Sequence, residues 1–136
     1  MVAACFTGLL YFAAVFTFAF ATGAARVLFV APRLGPTAAV LLEVPIVVVA
    51  SWIVARHLLR TRSLTLPERA AMGATAFAFT MASEAALSAI MRGQSVTDWA
   101  ETVATPPGLV GLAGQVAFAA MPIFAAHGGN DTSRRV

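Results

Sequence analysis

The chain has 136 residues, about one domain's length, and 60% of them are hydrophobic. Only 11% are charged, where ~25% is usual for a soluble domain. Mean hydropathy is +0.84, so the composition excludes a disordered chain, a nucleic-acid-binding domain and nearly every soluble fold. Most of the chain belongs in a lipid bilayer.

All nine basic residues are arginine, and the net charge is +3. They flank apolar runs and form no stripe with interleaved aromatics, so the excess does not point to nucleic acid. It fits the arginine bias of cytoplasmic membrane loops. Cys5 is the single cysteine, which leaves no internal disulfide. His57 and His127 lack ligand spacing, and no metal or cofactor is expected.

The first apolar run covers about residues 3–30, with Arg26 as its only charge. Ala19-Phe20-Ala21 has the small-x-small form of a cleavage site. The run lacks a positive leader and exceeds a signal-peptide core in length, so a retained span is expected. Pro32-Arg33-Leu34-Gly35-Pro36 then predicts a tight turn.

The second run covers 37–55 and contains Glu43 and Pro45. A basic segment follows, with Arg56, Arg60, Arg62 and Arg69. Contact with anionic headgroups is expected of it, and partner docking is the alternative. Thr65-Leu66-Pro67-Glu68 has the form of a capping box and predicts a helix start.

The third run covers 70–91, broken only by Glu84. Ala70, Ala74, Ala78, Ala82 and Ala86 recur every fourth residue. Such a stripe lets another helix approach closely. Ser95-Val96-Thr97-Asp98 is a second capping box. It predicts a short amphipathic helix lying at the interface, anchored by Trp99. Pro106-Pro107-Gly108 ends it. The fourth run covers 108–126 with Gln115 and Pro122 inside, and a polar tail follows at 127–136.

The expected fold is therefore all-α: a single membrane domain over residues 1–136, built as a four-transmembrane-helix bundle with one interfacial helix. Four spans put both termini on one side with Arg56, Arg60, Arg62, Arg69, Arg134 and Arg135. The other side holds Arg33 and Arg92 with Asp98 and Glu101. This bias predicts cytoplasmic termini and a periplasmic interfacial helix.

Depth is the most informative feature. Arg26, Glu43, Glu84 and Gln115 each lie five to seven residues from the outer end of their span. At ~1.5 Å per residue all four fall ~8–11 Å below the outer boundary, one per helix. A charge near the middle of a span costs ~2.5–3.5 kcal/mol on insertion scales, which favours inward pairing. Glu43 is the expected partner of Arg26, across the proline turn. Glu84 is left over, and either protonation or a hydrogen bond from Gln115 would satisfy it. One arginine against two glutamates leaves a formal deficit for a proton or a cation to fill. Polar side chains between membrane helices also act as plain contacts worth ~0.6 kcal/mol on average. A snorkelling Arg26 is a further bland reading.

Arg26-Val27-Leu28-Phe29-Val30-Ala31-Pro32-Arg33-Leu34-Gly35, Leu42-Glu43-Val44-Pro45 and Met81-Ala82-Ser83-Glu84 together resemble a pattern in small four-span inner-membrane proteins of proteobacteria. The resemblance covers most of the chain. It implies the span count and a bacterial inner membrane, and it assigns no chemistry to any residue.

Three function classes remain. The absence of catalytic motifs, the minimal loops and the alanine stripe fit an accessory or structural subunit of a membrane assembly. The polar layer fits an oligomeric transporter or channel for protons, ions or a small polar solute. An enzyme acting on lipid or quinone would need a nucleophile, base or metal set, and none stands in the sequence. The expected partners are the lipid bilayer and further membrane chains, either copies or other subunits.

Overall fold

The computed structural model describes residues 1–125 of the chain. Helix α1 (Val2–Ala25) passes without interruption into a π-helical turn (Arg26–Val30) and then α2 (Ala31–Leu34). Together they form one apolar stretch of 33 residues. The turn expected at Pro32 to Pro36 is thus shorter than its proline content suggests. A proline ring collides with the carbonyl four residues earlier and has no N–H to offer it. The wider π turn relieves that conflict: the Ala31 N–H bonds the Arg26 carbonyl, five residues back. The helix stops at Gly35, whose φ of +83° is open only to a residue without a side chain.

Helix α3 (Pro36–Arg60) starts at once, with proline at a position where a missing N–H costs nothing. It runs five residues beyond the expected end at Ala55. His57 and Arg60 sit in its last turn, where the helix dipole favours cations. Helix α4 (Leu66–Arg92) opens on the Thr65/Glu68 capping box and closes at Gly93, φ +64°. Helix α5 (Val96–Val103) opens on the Ser95/Asp98 box, and α6 (Pro106–Phe124) follows after two residues. The stretch Val2–Leu34, α3, α4 and α6 are each long and apolar enough to cross a membrane. Residues 126–136, with His127, Arg134 and Arg135, lie outside the described part.

The spans form a ring in the order α1, α3, α6, α4. The chain crosses the diagonal between α3 and α4, so its five-residue link passes over the start of α1. There Arg62 donates to the Thr7 hydroxyl and stacks its guanidinium 5.7 Å from the Phe6 ring. Arg69 Nε donates to the Leu64 carbonyl at 2.8 Å. Half of the basic segment is thereby spent on fastening this end of the bundle.

Polarity runs inside out. Phe6, Phe20, Leu41, Ile46, Ile53 and Ile90 are exposed, while Thr7, Ser51, Thr80 and Ser88 are buried. Only a hydrocarbon solvent makes that arrangement favourable, so the chain is a multi-pass membrane protein.

Close helix approach comes from glycine, and the alanine stripe contributes nothing to it. A Cβ on Gly73 would lie 1.9 Å from the Ala119 carbonyl oxygen, across the α4–α6 seam. One on Gly8 would lie 2.6 Å from the Met72 carbonyl oxygen, across α1–α4. Gly114 likewise admits the Val44 side chain of α3. By contrast Ala70, Ala74, Ala78, Ala82 and Ala86 are all exposed on the outer face of α4. Period four drifts slowly round a helix, so the stripe is one continuous face. Met72, Gly73, Ala76 and Thr80 form the opposite, buried one.

Candidate functional site

In the half of the bundle away from the N-terminus the four spans enclose a cavity of about 840 Å³. Arg26, Glu43, Glu84 and Gln115 all line it. They meet there as two pairs.

The first pair joins α3 to the π turn. Arg26 Nε lies 2.5 Å from Glu43 Oε2. The Nε–H is not aligned for a hydrogen bond, so the contact is one of charge. Thr22 stands one turn before Arg26 and shares its hydroxyl hydrogen between the Ala19 carbonyl and Glu43 Oε1, both at 3.1 Å. Gly23 completes the seat: a Cβ there would come within 3.4 Å of Glu43 Oε1. The terminal nitrogens of Arg26 take no hydrogen-bond partner among the described residues, and the residue lines the cavity.

The second pair joins α4 to α6. Gln115 Nε2 donates to Glu84 Oε1 at 2.5 Å. The amide is neutral, and no cation lies within ion-pair distance of Glu84 among the described residues. Its second oxygen is free for a ligand.

Sequence reasoning missed the floor and the roof. At the floor, Tyr11 of α1 stacks on Phe118 of α6, with ring centroids 4.6 Å apart. These helices are diagonal partners, and the two rings fill the gap between them. The Tyr11 hydroxyl donates to the Phe118 carbonyl at 2.7 Å. That carbonyl is free because residue 122, which would donate to it in a regular helix, is proline. Ser51 of α3 packs beside the same hydroxyl. At the roof, α5 lies against α4 and α6 and turns Trp99 and Val103 toward the cavity. Trp99 was expected to anchor the helix in the headgroups. In the structure it is half-buried and lines the cavity, and Ser88 of α4 bonds Gln94 in the connection that leads to α5. One signal was available in the sequence: Thr22 and Arg26 are four apart and share a helix face.

Arg92, at the end of α4, also borders the cavity, and Arg33 lies at the same end of the bundle; Arg56, Arg60, Arg62 and Arg69 lie at the opposite end. Arg56 sits 5.2 Å from the Trp52 ring centroid, and both face a shallow concavity with Ile53, His57 and Arg60. Among the described residues no three metal-binding side chains converge.

The site can offer a ligand one free carboxylate oxygen and an arginine fork, between small and aromatic walls. Compared with protein-family models, curated proteins and solved structures, the chain matches none, so this geometry alone carries the functional reading.

Proposed function

We propose that this membrane protein binds a protonated solute, or a proton, in the cavity between its four spans and passes it across or along the bilayer. The observation that carries the reading is the placement of Glu84. It lies in a cavity large enough for a small molecule, and among the described residues its hydrogen-bonding partner is an uncharged amide, with Arg92 elsewhere on the lining and not in an ion pair with it. A carboxylate held so far from water gains from a cation or a proton. Arg26 and Glu43 already neutralise each other and serve as the fixed wall.

The membrane is inferred to be a bacterial inner membrane, with the N-terminus in the cytoplasm. Arg56, Arg60, Arg62 and Arg69 gather at the end of the bundle that holds the N-terminus, and arginine excess marks the cytoplasmic side. The cavity then belongs to the periplasmic half.

The test is uptake of labelled methylammonium, and of protons, into vesicles containing the purified protein. Glu84→Gln should abolish flux while leaving helix content and thermal stability near those of the parent. Unchanged flux in that variant overturns the reading.

A second reading, an accessory subunit of a larger assembly, is favoured by one observation. The five alanines on the outer face of α4 form a smooth surface that no helix among the described residues covers. Ala78→Leu should leave the isolated protein folded and disrupt its assembly in the native membrane. A lipid-directed enzyme has less support. The Ser88 side chain is bonded to Gln94, and Thr80 donates to the Ala76 carbonyl, so neither hydroxyl is paired with a base.

A further inference from the structure

The cavity is open on one side, and the position of its mouth bears on what enters. The close α1–α4 packing at Gly8 against Met72 and Thr75, and between the Phe12 and Phe79 rings 5.6 Å apart, lies in the floor half. Beyond Val15, α1 has no buried residue. The π turn touches α1, α2 and α3 but not α4, α5 or α6. The roof helix α5 rests on α4 and α6 and does not reach α1. The seam between α1 and α4 is thus left uncovered in the upper half.

The residues that border the cavity and are also exposed mark its edge. Phe20, Ala24, Val27 and Leu28 stand on the α1 side and Met91 and Arg92 at the end of α4, with Pro36 and Thr105 also on the rim; Val27 is 55% exposed and Met91 70%. All are apolar except Arg92 and Thr105, which stand at the helix ends on the upper rim. Phe20 and Leu28, both on the rim, are eight residues apart, roughly 12 Å along a helix, so the opening runs along the apolar length of the span. A purely aqueous entrance would not be framed by phenylalanine, valine, leucine and methionine. Behind this mouth Glu84 lines the cavity.

Resting on the proposed solute-binding function, we propose that the ligand is an amphiphile with a protonated amine head, which enters sideways from the bilayer between α1 and α4. The head reaches Glu84 while the hydrocarbon tail stays in the seam, against Phe20, Val27 and Met91. This arrangement lets the tail remain in lipid throughout, so only the head is desolvated and only the head needs a polar partner. The small residues Ala19 and Gly23 of α1, with Gly111 of α6, give the head its room.

The experiment uses the full chain in lipid nanodiscs, with Trp52→Phe so that Trp99, which borders the cavity, is the sole indole. Decylamine carrying bromine on its chain is the probe, and methylammonium is the competitor that lacks a tail. Saturable quenching of Trp99 is expected above the level set by bilayer partition. Decylamine should bind more than about tenfold tighter than methylammonium, equivalent to ~1.4 kcal/mol. Glu84→Gln should remove the saturable component. Val27→Trp, made with Trp99→Phe and read by native mass spectrometry, should weaken decylamine and leave methylammonium unchanged. Val27 is exposed, so the substitution touches the mouth and not the packing.

Equal affinity of the two amines would overturn lateral entry and leave the solute-binding reading standing. Absence of saturable binding by either amine, together with unchanged flux in Glu84→Gln, would overturn both. Decylamine binding that survives Glu84→Gln would overturn the assignment of the head to that carboxylate.

Discussion

Tyr11 closes the floor of the cavity by stacking on Phe118 and donating its hydroxyl to the Phe118 carbonyl. The link depends on Pro122, which leaves that carbonyl without a helical donor. Tyr11→Phe should therefore cost about 1–2 kcal/mol, the net value of a buried hydrogen bond plus the stranded acceptor. Thermal unfolding in detergent reads the loss. Adding Pro122→Ala should recover part of it, because alanine supplies the missing N–H. No recovery in the double variant would show that the proline is not what frees the carbonyl.

Glycine should be irreplaceable at the α4–α6 seam. An added Cβ at Gly73 falls well inside contact distance of backbone, which cannot step aside as a side chain can. Gly73→Ala should cost at least ~3 kcal/mol, the upper end of ordinary overpacking. Ala78→Leu, on the exposed face of α4, should leave the stability of the isolated chain within ~0.5 kcal/mol. Comparing their melting temperatures checks both. A tolerant Gly73→Ala would mean that the two helices can separate freely.

Breaking the Arg26–Glu43 contact should hurt more than deleting it. Glu43→Gln leaves a guanidinium in the bilayer without its counter-charge. The expected cost is about 2–3 kcal/mol, below the range for a fully enclosed pair because this one borders a cavity. The double variant Arg26→Met/Glu43→Met should be more stable than Glu43→Gln alone. A double-mutant cycle on unfolding free energy settles the sign.

The roof should loosen in acid. The Ser95 side chain and backbone N–H hold the Asp98 carboxyl below its ordinary range. A depressed folded-state value stabilises α5 above the unfolded value and loses that contribution as pH falls through the folded one. Unfolded aspartate titrates near ~3.9, so the loss begins about there and completes at lower pH. Hydrogen exchange of the α5 amides should speed up over that window in the parent chain. Asp98→Asn should flatten the response, and an unchanged pH profile would rule out Asp98 as its source.

Much of this architecture is legible in the sequence because a bilayer is a demanding solvent. Long uncharged runs have one fate there, and a Ser or Thr three residues before a carboxylate starts a helix by its own local chemistry. Four spans, the capped starts of α4 and α5, and the common depth of Arg26, Glu43, Glu84 and Gln115 are all properties of single segments. The proline turn was misjudged for a physical reason. Pro32 forbids a regular α-helical bond pattern, but a π turn satisfies the same constraint without ending the helix.

Other features are relations between segments, and periodicity cannot reveal them. The alanine stripe and the glycines of α4 are both small-residue signals, but only packing decides which face meets a neighbour. The same holds for Trp99, whose place on the cavity lining follows from how α5 packs on α4 and α6. The sequence by itself determined the solvent, the number of spans and the existence of a polar layer, since each follows from the free energy of placing residues in hydrocarbon. The tertiary structure alone decided how the layer divides into one ion pair and one carboxylate–amide pair. It also decided that a cavity lies between them and that the mouth opens between α1 and α4. Those outcomes depend on the ring order of the helices, which follows close backbone approach at Gly8 and Gly73 and the seating of the Val44 side chain at Gly114.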